Sequence, residues 1–130
     1  MPANLSVVNG RSAAAMIGPG ATLYKLIAVG TNADQNLIAT GKRVVYSLAV
    51  SNANAAVRYV KLYNKATAPV VGTDVPVAVF ALPAVNGINM EFSAGLAFPL
   101  GLGIGLTTGS ADNNSTGVTA GESIVTLSYT

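Results

Sequence analysis

From Val44 to Val50 the chain alternates strictly: Val44, Tyr46, Leu48 and Val50 fall on one side of an extended strand, and Val45, Ser47, Ala49 and Ser51 on the other. Period-two alternation in β-branched and aromatic residues is the mark of a half-buried strand, and a helix would need apolar residues every three or four positions. Asn52 to Ala56 supplies turn residues, because Asn tolerates tight backbone conformations and bonds its own chain. A second strand, Val57 to Tyr63, follows at once, so the segment predicts a β-hairpin.

The rest of the chain repeats this pattern. Thr22 to Val29 predicts a strand, Gly30 to Gly41 a polar loop, and Asn64 to Asp74 a long loop with Pro69 and Gly72. Val75 to Leu82 is apolar on both sides, as in a strand covered on both faces, with Pro76 placing its start at an edge. Asn86-Gly87 is a tight-turn pair, after which Ile88, Met90 and Phe92 alternate with Asn89 and Glu91. Ala97 to Thr107 predicts one strand, with Phe98, Leu100, Leu102, Ile104 and Leu106 on one face and Gly101, Gly103 and Gly105 on the other. Ser123 to Thr130 closes the fold. No segment sustains a helical period. Seven strands, or eight with Leu5 to Val8, at short spacing predict an all-β antiparallel sandwich, with a jelly roll preferred to an immunoglobulin-like arrangement. The expected inward set is Val44, Tyr46, Leu48, Val50, Val60, Leu62, Ile88, Met90, Phe92, Leu100, Leu102, Ile104, Val125 and Leu127.

Residues 1–20 differ from the remainder and are read as an N-terminal arm, with residues 21–130 as the sandwich domain. Leu5, Val7, Val8, Met16 and Ile17 are apolar for a free tail, and Gly18-Pro19-Gly20 is the hinge at which such an arm would leave the domain to dock on a neighbour.

Composition narrows the function. Charged residues make up 9% of the 130 and hydrophobic residues 51%, against about 25% charged in an ordinary domain. A chain so poor in charge is expected to have much of its surface covered in use, as a dimer or trimer or by another protein. The net charge of +2 comes from cations scattered along the chain, without the dense basic stripe and stacking aromatics of a nucleic-acid groove. Cysteine and histidine are absent, which removes disulfides, Cys/His zinc sites and any triad with a histidine base. The five acids, Asp34, Asp74, Glu91, Asp112 and Glu122, are read as solvated loop or outward positions, with no spacing that announces a catalytic pair. Asp112-Asn113-Asn114-Ser115 holds too few carboxylates for calcium and reads as a polar turn. The uncharged run Phe92 to Ala111 carries Pro99 and several glycines, so no membrane span is expected. No catalytic residue, cofactor or metal site is assigned, and the chain is read as a non-enzyme.

What remains is surface. Tyr59, Lys61 and Tyr63 alternate opposite Val60 and Leu62. With the latter pair in the core, the tyrosines are expected to point outward as interface anchors. The Gly101-Gly103-Gly105 stripe has no side chains, so a loop, the second sheet or another subunit can approach its backbone closely.

The segment Arg58-Tyr59-Val60-Lys61-Leu62-Tyr63-Asn64-Lys65-Ala66, followed by Ala68-Pro69 and Val71-Gly72-Thr73-Asp74-Val75-Pro76-Val77, resembles a group of small structural proteins of tailed bacteriophages. These share a VxLYNKA-type strand end, an AP-x-VGTD-x-PV loop and a later apolar strand rich in small residues. The resemblance covers roughly residues 43 to 108. It implies a β-sandwich virion component: a capsid cement or decoration protein on the capsid exterior, made in the host cytoplasm and partnered by the major capsid protein, or alternatively a tail, baseplate or fibre part. It implies no catalytic residue and no cofactor.

Overall fold

Alternating short strands leave each sheet with one apolar face, and two such faces bury each other. The protein does this in a computed structural model that describes residues 20–130. Eight strands run in chain order: β1 (Thr22–Ile27), β2 (Asn36–Thr40), β3 (Arg43–Asn52), β4 (Arg58–Asn64), β5 (Ala78–Leu82), β6 (Asn86–Phe98), β7 (Gly101–Thr107) and β8 (Ser123–Tyr129). The first sheet has the order β1-β8-β3-β6 and the second β2-β7-β4-β5. Every pairing is antiparallel.

The order encodes the connectivity. β1 pairs with β8, β2 with β7, β3 with β6 and β4 with β5, as if one long hairpin were rolled up from its ends. Each strand but one is followed by a strand of the other sheet; only β4 and β5 are consecutive within one sheet. This is the jelly roll, the preferred alternative of the sequence reading. The N-terminal arm, with Leu5, Val7, Val8, Met16 and Ile17, lies outside the described residues.

The core between the sheets holds Val45, Leu48, Val50, Val60, Leu62, Leu82, Phe98, Leu102, Ile104, Leu106, Val125 and Leu127, with Ile88, Met90 and Phe92 packed partly buried against it. Three expected members are absent. Val44 is only half-buried and Tyr46 is exposed, because a bulge interrupts the alternation. Val45 is followed in both ladders by Ser47, leaving Tyr46 as an extra residue. Such an insertion moves later side chains to the opposite face. The core positions of β3 are therefore Val45, then Leu48 and Val50. On the partner strand the bulge takes up residues 92–95, where Gly95 has φ +79° and a β-carbon would strike Val44.

Leu100 is 57% exposed. The expected strand from Ala97 to Thr107 is two strands, one in each sheet, and Pro99-Leu100 is the link between them. The predicted hairpin of β3 and β4 is likewise a crossing between sheets. At that crossing the Asn52 side-chain amide donates to the carbonyls of Ala56 (3.0 Å), Leu82 (3.2 Å) and Pro83 (3.2 Å), and its oxygen accepts from the Asn54 amide (2.9 Å). The turn chemistry of Asn was read correctly, but the direction of the turn was not. Finally, β5 is an edge strand with Val79 exposed, as are Val75 and Val77 just before it, so the segment is not covered on both faces as its composition predicts.

Candidate interaction surfaces

The outward face of the second sheet is built from two strands that fit each other. Tyr63 stands opposite Gly103, Lys61 opposite Gly105 and Tyr59 opposite Thr107. Large side chains on β4 thus lie beside a glycine strip on β7. The Tyr63 ring reaches over that strip, with its Cε1 3.5 Å from where a Gly105 β-carbon would stand. Above it lie the chain's own connections. Pro69 approaches to 2.9 Å of a β-carbon on Gly103, Val71 to 2.6 Å of one on Gly105, and the Lys65 carbonyl would collide with one on Gly101. Tyr63, Val71 and Ala33 form a second, small apolar cluster.

Lys61 and Tyr63 are consequently 0% and 1% exposed. The expectation that they point outward as free interface anchors is overturned: they do turn away from the main core, but residues 65–76 and 108–117 cover them. Tyr59 remains half-buried. The glycine stripe Gly101, Gly103 and Gly105 is approached by a loop of the same chain, one of the three surfaces the sequence left open.

Polar groups fasten this roof. The Lys61 ammonium donates to the carbonyls of Ala111 (2.6 Å) and Asn114 (3.1 Å). Burial pulls its pKa down and the charge of Asp112 partly offsets that. Burial and the charges of Asp74 and Asp112 push the Tyr63 phenol up to about 12. The Asp74 carboxylate accepts from the Lys65 ammonium (2.6 Å) and from the Val70 amide (2.7 Å), and these bonds hold its pKa below the ordinary value. Asp112 to Ser115 is a turn stitched by the Asn114 side chain, which accepts from the amides of Gly109 and Thr116.

Two acids read as solvated are buried. Asp34 accepts from the amides of Val29 (2.7 Å) and Gly30 (3.1 Å). Glu122 accepts from Arg58 Nε (2.5 Å) and the Asn54 side chain (2.9 Å). Burial would raise the Glu122 pKa, but the hydrogen bonds from Arg58, Asn54 and Thr119 together with the Arg58 charge outweigh it and hold the group low. Sequence carried no sign of the Glu122 role, since its partners Arg58 and Asn54 are distant in the chain, whereas Asp34 is held by amides four and five residues before it. Among the described residues no group of three or more His, Cys, Asp or Glu is placed to hold a metal ion, and no helix is long and apolar enough to cross a membrane.

The outward face of the first sheet has no such roof among the described residues. Its register sets out three rows across β1, β8, β3 and β6: Ile27-Ile124-Ser51-Gly87, Lys25-Thr126-Ala49-Asn89 and Leu23-Ser128-Ser47-Glu91. Leu23, Ile27 and Ile124 are exposed by 71%, 47% and 39%. Beside them the small side chains of β3 and β6 leave an open hollow of about 400 Å³ lined by Ala49, Ser51, Gly87, Asn89, Ile124 and Thr126. Sequence reasoning passed over this surface, although outward Ser, Ala and Gly beside outward Ile was a legible signal. The molecule is thus a jelly roll whose described residues cover the back of one sheet and leave the back of the other open. Set against protein-family models, curated proteins and solved structures, the chain matches none.

Proposed function

We propose that the protein is a structural component of a bacteriophage virion: a cement protein that binds the outer surface of the capsid and stabilises contacts between capsomers of the major capsid protein. The observation that supports this reading is the place in the fold of the motif that resembles those of phage structural proteins. Lys65, Pro69, Val71, Gly72 and Asp74 all belong to the roof over the second sheet, so these residues serve the packing of the sandwich. Among the described residues, what stays accessible is a sheet face with exposed Leu23, Ile27 and Ile124 beside an open hollow, a surface suited to being covered by protein.

The mechanism is mechanical. Internal pressure loads the joints of an expanded shell. A small rigid domain seated across a joint adds buried apolar area there, at about 25 cal/mol per Å². Many weak clamps on one particle act together through multivalency. A β-sandwich suits the load, because its strands are cross-bonded along their whole length.

The test is to add purified protein to expanded capsids that lack it. Saturable binding in proportion to the number of capsomers, with a raised temperature of capsid disruption, is the expected result. Binding confined to tails, or a copy number matching tail symmetry, would assign the protein to the tail, baseplate or fibre. Turnover of a polysaccharide, peptidoglycan or ester substrate would replace the structural reading altogether.

A further inference from the structure

We infer that the bare face of the first sheet is a self-association surface, on which two copies of this chain stack about a twofold axis running parallel to the strands. The inference concerns the isolated chain and is tested without capsid, since a second copy and a capsid would compete for this face. It selects a dimer over the trimer that a threefold capsid position would suggest.

The argument starts from the asymmetry of the face. Along each row the order is β1, β8, β3, β6. In the first row the two large residues, Ile27 and Ile124, sit on the β1–β8 half, and the two small ones, Ser51 and Gly87, on the β3–β6 half. A twofold axis in the plane of the face and parallel to the strands reverses the order of strands while keeping each row over itself. It therefore sets Ile27 of one copy over Gly87 of the other, and Ile124 over Ser51. The ridge of each copy fills the hollow of its partner, and the hollow is bordered by Ile124 itself. A surface that is complementary to its own twofold image is the requirement for an isologous contact.

Charge points the same way. On these three rows the charged residues are Lys25, on the β1 edge, and Glu91, on the β6 edge. Neither takes part in the ion pairs found among the described residues, Arg58–Glu122 and Lys65–Asp74. The same axis lays Lys25 of one copy over Asn89 of the other, one outward position from Glu91 on the same strand. It lays Leu23 over Glu91 in the third row, so each Lys25 leans one row along the strand to meet the carboxylate; two equivalent cross-pairs then form, one at each rim, where they orient the copies. A shift by one row along the strands would set Lys25 of one copy over Glu91 but Lys25 of the other over Gly87, and would set Ile27 over Asn89, so the two copies would cease to be equivalent and the isoleucine match would be lost.

Size sets the strength. Four strands about 4.8 Å apart and three rows about 6.8 Å apart cover on the order of 400 Å² in projection. A standard stable interface buries about 800 Å² of accessible surface per partner. The dimer is therefore weak and concentration-dependent in solution.

Sedimentation equilibrium of the full chain over a wide concentration range should show the mass rising from 13.0 kDa toward twice that value. Ile124→Glu should weaken association by at least about tenfold, with the thermal unfolding of the dilute protein unchanged. Lys25→Glu should also weaken it, and the double variant Lys25→Glu/Glu91→Lys should restore it. A monomer at every concentration, a trimer, or association indifferent to Ile124→Glu would overturn the inference. So would a full chain that stays monomeric but dimerises on removal of residues 1–19, because that segment would then be the natural cover of this face.

Discussion

The two sheets differ most in what lies on their backs. Each has four antiparallel strands, each gives one face to the common core, and each carries small residues on part of its outer face. On the second sheet the small residues are Gly103 and Gly105, and the chain's own Pro69 and Val71 fill the space above them. On the first they are Ala49, Ser51 and Gly87, and they line an open hollow. A strip of small residues therefore marks where something approaches a sheet closely, without saying what. Connection length decides that. The links that leave β4 and β7 both start from the second sheet and are long enough to fold back over it. The links from β2 to β3 and from β6 to β7 are two residues each, Gly41-Lys42 and Pro99-Leu100.

Removing what both faces share should have the largest effect. Leu48 and Ile104 come from opposite sheets and are both 0% exposed, so Leu48→Ala or Ile104→Ala should cost roughly 2–5 kcal/mol in denaturant unfolding. A loss below about 0.5 kcal/mol, the range of surface changes, would show that the two sheets do not depend on each other as described.

Next is the tie at one end of the sandwich. Glu122→Gln leaves Arg58 without its partner and should cost about 1.5–3 kcal/mol at neutral pH. The Glu122 pKa is held below its ordinary 4.5, so its stabilisation is complete above that value and is lost as pH falls through the lower folded value. Stability of the native protein should therefore decline below about pH 4.5 more steeply than that of Glu122→Gln. Parallel acid curves would remove the ion pair from the account.

The comparison itself is sharpened by matched substitutions on the two backs. Gly103→Ala puts a methyl group 2.9 Å from Pro69 and should cost about 1–3 kcal/mol by forcing the roof to shift. Ser51→Ala, on the open back, should stay within about 0.5 kcal/mol when measured on dilute protein. Equal costs would mean that the two faces are not differently covered. A titration also reports on the roof. Tyr63 is raised to about 12, so the native protein should show a tyrosine ionisation near pH 12 in the ultraviolet that Tyr63→Phe lacks. The sign follows: its stabilisation is complete below about pH 10 and is lost between there and about 12. If the ionisation that Tyr63→Phe removes lies near the ordinary 10, the roof is open in solution.

Much of this was legible residue by residue. Leu48, Val50, Val60, Leu62, Leu102, Ile104, Val125 and Leu127 were expected inside and are fully or almost fully buried, because alternation is a local property that survives any arrangement of the strands. Val44 and Tyr46 failed because a bulge changes the phase of alternation, and its cause is partly on another strand at Gly95. Leu100 failed because a two-residue crossing between sheets reads, in one dimension, like an uninterrupted strand. Lys61 and Tyr63 failed because a face turned away from the core was taken to be a face turned toward water.

The sequence by itself determined the all-β class, the two-faced strands, the positions of most turns and the absence of histidine and cysteine chemistry, since these follow from side-chain type and from spacing along the chain. Only the tertiary structure decided which strands share a sheet, that the glycine stripe is covered by a loop of its own chain, that Glu122 is the buried partner of the distant Arg58 and Asn54, and that the ridge and hollow lie side by side on the open back. Those outcomes depend on contacts between residues far apart in sequence. No local pattern specifies such contacts, because the same alternation is compatible with many orders of the same strands.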